Sequence, residues 1–263
     1  MNIFLRELKA NRKALIIWSV CMFIGVLSGM TKYTAYSGGA NNEVFEKMPQ
    51  TLKAVLGIGS FDVTVMSGFF AFLYPFIALA AGIHAVLLGS GIMAKEERDK
   101  TTEFLMVKPV SRTAIITSKF FAALLNVVIV NIVTLLSSVA LAAAYNKGKD
   151  VSAEVAVFIL GMLIIQLIFL SLGTLISAFM KNPKGSGAIA TAILMGSYVV
   201  SKITDITSEL NILNVLSPFK YFSYKRIVDG NGLDFIVVAL SILLIAAFSF
   251  STFLFYRRRD LKV

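Results

Sequence analysis

The chain has 263 residues, of which 57% are hydrophobic and only 15% charged, with a mean hydropathy of +0.80. A soluble domain carries about 25% charged residues, so this composition excludes an ordinary water-soluble globule and belongs to an all-α polytopic membrane protein. The net charge of +10 would suggest nucleic acid in a soluble protein; here the basic residues flank apolar runs, where they orient the chain and meet anionic lipid, and no nucleic-acid partner is expected.

Residues 2–13, "NIFLRELKANRK", read as a short amphipathic helix at the membrane interface, with Ile3, Phe4 and Leu8 on one face and Arg6, Lys9 and Lys13 largely elsewhere. The first apolar run, Ala14 to Met30, follows directly and reads as a retained span rather than a cleaved signal, since no small-residue cleavage site follows it. Cys21 lies inside this run as the single cysteine, which rules out an intrachain disulfide or a cysteine-based metal cluster and leaves packing as its expected role. Gly25 and Gly29 in the same run form a Gly-x-x-x-Gly that lets another helix approach closely.

Crossing the hydrocarbon takes roughly 20 apolar residues in a helix. Six segments come near that length, at about 14–31, 67–94, 114–144, 153–180, 186–203 and 234–256, so a single transmembrane domain over residues 1–263 is expected. With both termini in the cytoplasm, 16 of the 25 Lys and Arg residues fall on the cytoplasmic side. That arrangement satisfies the positive-inside rule and places a multi-pass chain in the plasma membrane. Between the spans, 44–66 shows helix-like apolar spacing broken by Pro49, Gly57 and Gly59, and 210–228 is rich in apolar and aromatic residues. Tyr221, Phe222 and Tyr224 there suit an interfacial aromatic belt. The fifth span carries small residues at Ser186, Gly187, Ala188, Ala190 and Ala192, a surface for close helix packing.

Catalytic and metal-binding patterns are missing. His84 is the only histidine, so a two-histidine zinc site is impossible, and no Gly-x-x-x-x-Gly-Lys-Ser/Thr loop is present to cradle nucleotide phosphates. Ser90 and Ser186 sit between glycines but lack the Gly-x-Ser-Gly spacing of an intramembrane serine protease. The chain is therefore expected to be no enzyme in itself. His84 near the middle of the second span, Asn126 and Asn131 in the third and Gln166 in the fourth are the intramembrane polar residues, each needing a partner. Interhelical hydrogen bonding is the plainer role for them; a substrate contact or, for His84, a proton relay is the alternative.

The most charged passage is "KEERDKTTEFLMVKPVSRTAIITSK", residues 95–119, set between the second and third spans. Its mixed charge suits a short helix on the cytoplasmic surface, with Phe104, Leu105 and Val107 anchoring one side. Pro109 disfavours helix at Lys108, and Ser111 can cap the helix that rises into the third span. A chain without a nucleotide loop must import its energy, and a surface helix tied to two spans can transmit a push.

The residues of this passage closely resemble the cytoplasmic segment of ABC-2 type permeases, the membrane subunits of many bacterial ATP-binding cassette exporters. The resemblance rests on Glu97, Thr101, Glu103, Phe104, Leu105, Pro109, Val110, Ser111, Arg112 and Lys119; many members have Gly where this chain has Lys100. "MPQTLKAVLGIGSFD", "SPFKYFS" and "YRRRDL" are similar to three further segments of the family. The resemblance implies that residues 95–113 form the coupling segment, with a helix from about 96 to 108 seated in a groove of a separate ATPase. Glu97, Thr101, Glu103, Phe104, Leu105, Pro109 and Arg112 are then the docking and coupling residues, the charged ones orienting and the apolar ones anchoring. It further implies two copies of an ABC ATPase and a second permease chain, identical or homologous, surrounded by membrane lipid. This chain would hold no cofactor, ATP and Mg being bound by the ATPase. Efflux from the cell is the implied direction. A gradient-driven secondary transporter or channel, and a membrane scaffold or sensor partnered with an ATPase, are the alternatives.

Overall fold

A computed structural model describes residues 3–37, 48–49, 51–53, 62–99, 110–147, 149–180 and 185–258. The elements in chain order are helices α1 (Ile3–Met30), α2 (Tyr33–Ser37), α3 (Met66–Arg98), α4 (Arg112–Tyr145), α5 (Ser152–Phe179) and α6 (Ser186–Ile206). Two 3₁₀ segments (Ser208–Leu216 and Pro218–Lys220), α7 (Tyr224–Val228) and α8 (Phe235–Arg258) follow. No strand occurs among the described residues. Six of the helices are long and apolar enough to cross a membrane, as the hydropathy requires: in hydrocarbon each backbone N–H and C=O must find its partner within the helix.

Burial separates the centre of the bundle from its rim. The most apolar windows of α3 and α5 are 56% and 61% buried, against 11% for α8, so α3 and α5 form the spine and α8 presents most of its surface outward. The spine is tight because two glycines face each other's backbone. A methyl group on Gly89 would overlap the Leu170 carbonyl oxygen, and one on Gly173 would overlap that of Val86. α3 also carries Pro75 in its interior, where a hydrogen bond is lost. Around these helices Phe69, Phe70, Tyr74, Phe158 and Phe169 are buried in one core.

Three local expectations meet the structure differently. The N-terminal stretch is helical but is not a separate interfacial helix: it runs unbroken into the first span as α1. The physical reason is Glu7, fully buried in the described structure and paired with Arg6 and Lys95, which holds the helix on the bundle. Gly29 packs within the chain, its Cα facing the Leu73 side chain of α3, whereas Gly25 faces open space. The aromatic residues before α8 turn inward. Phe222 is 4% exposed in the core, and the Tyr224 ring lies 5.4 Å from that of Tyr74. Burial pushes the Tyr224 phenol up. Tyr221 is partly buried, donating from its hydroxyl to the Val215 carbonyl at 2.7 Å.

Gly173→Val is expected to lower stability by about 1–3 kcal/mol through overpacking of the α3–α5 contact, read as a lower unfolding midpoint of the detergent-solubilised protein. The open position Gly25 serves as the control, where Gly25→Val should leave the midpoint nearly unchanged.

Candidate functional site

Both termini of the described chain lie at one end of the bundle, where α3 ends, α4 begins and α8 finishes. Ser111 caps α4 there as its sequence position suggests, its hydroxyl oxygen accepting the Ala114 N–H at 3.2 Å. Arg112 beside it donates from Nη1 to the Arg257 carbonyl at 3.2 Å, tying the start of α4 to the C-terminal end of α8.

Three cations and two carboxylates converge at this end. Arg6 Nη2 lies 2.8 Å from Glu96 Oε1 and 3.0 Å from Glu7 Oε1. Lys95 Nζ reaches Glu7 Oε2 at 3.3 Å. Lys119 pairs with the other oxygen of Glu96 and donates to the Ile92 carbonyl at 2.6 Å. Glu7 and Lys119 are 0% exposed and Glu96 is 4% exposed. Each element contributes for a local reason. Glu7 shares the inward face of α1 with Ile3, Lys119 lies between Ile116 and Ala122 on the buried face of α4, and Glu96 sits in the last turn of α3. A carboxylate or ammonium taken from water costs several kcal/mol unless paired and hydrogen-bonded, and here every buried member has at least two partners. The network spans α1, α3 and α4 and flanks the chain that joins α3 to α4.

Deeper in the bundle the polar residues serve different ends. Asn131 Nδ2 donates to the Val127 carbonyl at 2.9 Å and to Gln166 Oε1, and Gln166 Nε2 donates to the Ala81 carbonyl at 3.2 Å. This chain of bonds crosses from α4 through α5 to α3. Asn126 donates to the Ala122 carbonyl of its own helix at 2.7 Å. His84 is 3% exposed, its ring centroid 5.3 Å from that of Trp18 on α1, and its Nδ1 is buried without a hydrogen-bond partner. His84 and Asn126 both line a cavity between α1, α3 and α4. Among the described residues no group of three or more His, Cys, Asp or Glu side chains is placed to hold a metal ion.

The family described as ABC-2 family transporter protein matches residues 1–261 of the chain. The chain belongs to this family. No curated protein matches it significantly. Membership makes the chain a permease component of an ABC transporter, a multi-pass membrane subunit in a family that works with an ABC ATPase. For such a permease the joint between α3 and α4 is the place of interest. Thr101, Glu103, Phe104, Leu105 and Pro109, and most of the expected 96–108 helix, lie outside the described residues. Glu97 is described: it is partly buried in the final turn of α3.

Sequence reasoning used Lys119 only as a position that matches the family and gave no role to Glu7 or Glu96. The usable signal was spacing: Ile3 and Glu7 are four apart, and Lys119 follows Ile115 and Ile116 by four and three, so each charge falls on an apolar row where only a paired charge is tolerated.

Glu96→Gln and Lys119→Met should each destabilise the solubilised protein by about 3–5 kcal/mol, because each strands its partner in the interior. The double variant should lose clearly less than the sum of the two, as measured by chemical unfolding of all four proteins.

Proposed function

We propose that this chain exports a substrate across the plasma membrane, driven by ATP hydrolysed on a separate ATPase that docks on the segment between α3 and α4. In this reading both termini and the network are cytoplasmic, two permease chains, identical or homologous, pair with two ATPases, and ATP and Mg belong to the ATPase. The observation that carries the reading is the buried network of Glu7, Arg6, Lys95, Glu96 and Lys119. It locks together the ends of α1, α3 and α4 beside the segment that would receive the ATPase. A displacement of that segment is then delivered to three spans at once, since sliding any one of them separates buried opposite charges. The distribution of basic residues along the sequence supports the orientation.

Docking is assigned to Glu97, Thr101, Glu103, Phe104, Leu105, Pro109 and Arg112. The acids and Arg112 orient the segment, Phe104 and Leu105 fill the apolar part of the groove, and Pro109 ends the helix. Affinity purification from the native membrane should recover an ABC ATPase. Glu103→Lys should weaken its association roughly tenfold or more, the scale of one lost charge-assisted contact. Replacing residues 100–108 by a neutral linker of equal length should abolish it while membrane insertion persists. Recovery of no ATPase under gentle extraction would overturn the reading.

Docking and coupling should also separate. Glu7→Gln lies on α1 and is none of the docking residues, and is expected to keep the ATPase bound while lowering ATP turnover of the reconstituted complex several-fold; unchanged turnover would remove the network from the coupling path.

A further inference from the structure

A cavity of about 280 Å³ lies between α1, α3 and α4, beside the ion network. One end is basic, lined by Lys95 and Arg98; Trp18, His84 and Asn126 line it farther in. Among the described residues no carboxylate lines it. Between the polar ends the walls are Leu15, Leu87 and Leu88. Fourteen residues of helix separate His84 from Arg98, a length of roughly 20 Å, so the space is long and narrow.

The two ends ask for different groups. Lys95 spends a donor on Glu7 at 3.3 Å and Arg98 spends its Nε on Asp99 at 3.2 Å. An ammonium has three donors and a guanidinium five, so both cations retain capacity for an anion. At the inner end His84 lines the cavity, and an imidazole offers a ligand's polar group a donor or an acceptor. The volume is near the lower bound of about 300 Å³ for small-molecule sites, enough for one alkyl chain and too little for a two-chain phospholipid.

We infer that the α1–α3–α4 cavity binds a single-chain anionic amphiphile, its phosphate or carboxylate at Lys95 and Arg98 and a hydroxyl or similar polar group against His84. The alkyl body lies along Trp18 and the leucine walls. The site goes beyond the transport reading and does not depend on ATPase docking, because binding is read on the permease chain alone.

Trp18 is the sole tryptophan of the chain, so its fluorescence reports this cavity without labelling. The full-length protein in lipid nanodiscs is titrated with ω-hydroxydodecanoate, dodecanoate, dodecanol and dodecyltrimethylammonium. The expected result is a saturable change with both carboxylates, tightest with the hydroxylated one, and none with the neutral or cationic chain. Arg98→Gln should weaken carboxylate binding roughly tenfold. His84→Leu should erase the preference for the hydroxylated chain and leave dodecanoate binding in place. Gly91 lines the cavity and a Cβ there meets nothing within 4 Å, so Gly91→Leu fills the space while removing a helix glycine, and should abolish the response in a protein that still inserts. An unsaturable response, an equal response to dodecanol, or binding undiminished in folded Gly91→Leu overturns the assignment.

Discussion

Hydrocarbon cannot solvate a lone charge, and this constraint organises the end of the bundle where the termini meet. Glu7, Glu96 and Lys119 are buried together because each would be prohibitively expensive alone. Pairing makes their burial tolerable, and the pairs cross helices: Arg6 of α1 to Glu96 of α3, Lys95 of α3 back to Glu7 of α1, Lys119 of α4 to Glu96. Any relative shift of α1, α3 or α4 must therefore break or exchange a buried ion pair. The three helix ends behave as one mechanical piece. The opposite end uses a lighter form of the same device, with Asp205 held by Lys202 and Lys220. Those residues keep about a fifth to a quarter of their side-chain surface exposed, so their bond is cheaper to change.

Between the two ends the bundle is held by shape and by a few neutral hydrogen bonds. Gly89 and Gly173 let α3 and α5 touch at the backbone. The run from Asn131 through Gln166 to the Ala81 carbonyl fixes the rotation of α4 against that pair. The Thr174 and Thr252 hydroxyls, 3.1 Å apart, add a tie between α5 and α8. The outward faces of α1 and α8 carry Ile16, Ile17, Ile242, Leu243 and Phe250 well exposed. In a membrane chain such faces meet lipid or another apolar helix without penalty.

The count of helices was legible because hydropathy and length act locally: each run of apolar residues must close its own hydrogen bonds, whatever its neighbours do. The Ser111 cap was legible for the same reason, since its bond to Ala114 spans three residues. The N-terminal helix was legible as helix but not as part of α1, because its continuation depends on Glu7 meeting Lys95, 88 residues away. Glu96 and Glu97 are adjacent acids of the same type, and the ion pairs of Glu96 depend on Arg6 of α1 and Lys119 of α4, which local sequence does not place. The aromatic run around Phe222 resembled an interfacial belt by composition. Its inward turn follows from Tyr74 and Phe158, which lie on helices far away in the sequence.

The buried carboxylates also bear on how such a chain can be driven. Ion-gradient coupling needs an acid that changes partners as it gains and loses a proton, and buried acids with one weak partner are suited to that. Glu7 accepts from Arg6 and Lys95, and Glu96 accepts from Arg6 and Lys119. Each carboxylate thus holds two cations in place. His84 lies deeper, beside Trp18 and a cavity. The charges at this end are thus placed to hold the ends of α1, α3 and α4 together.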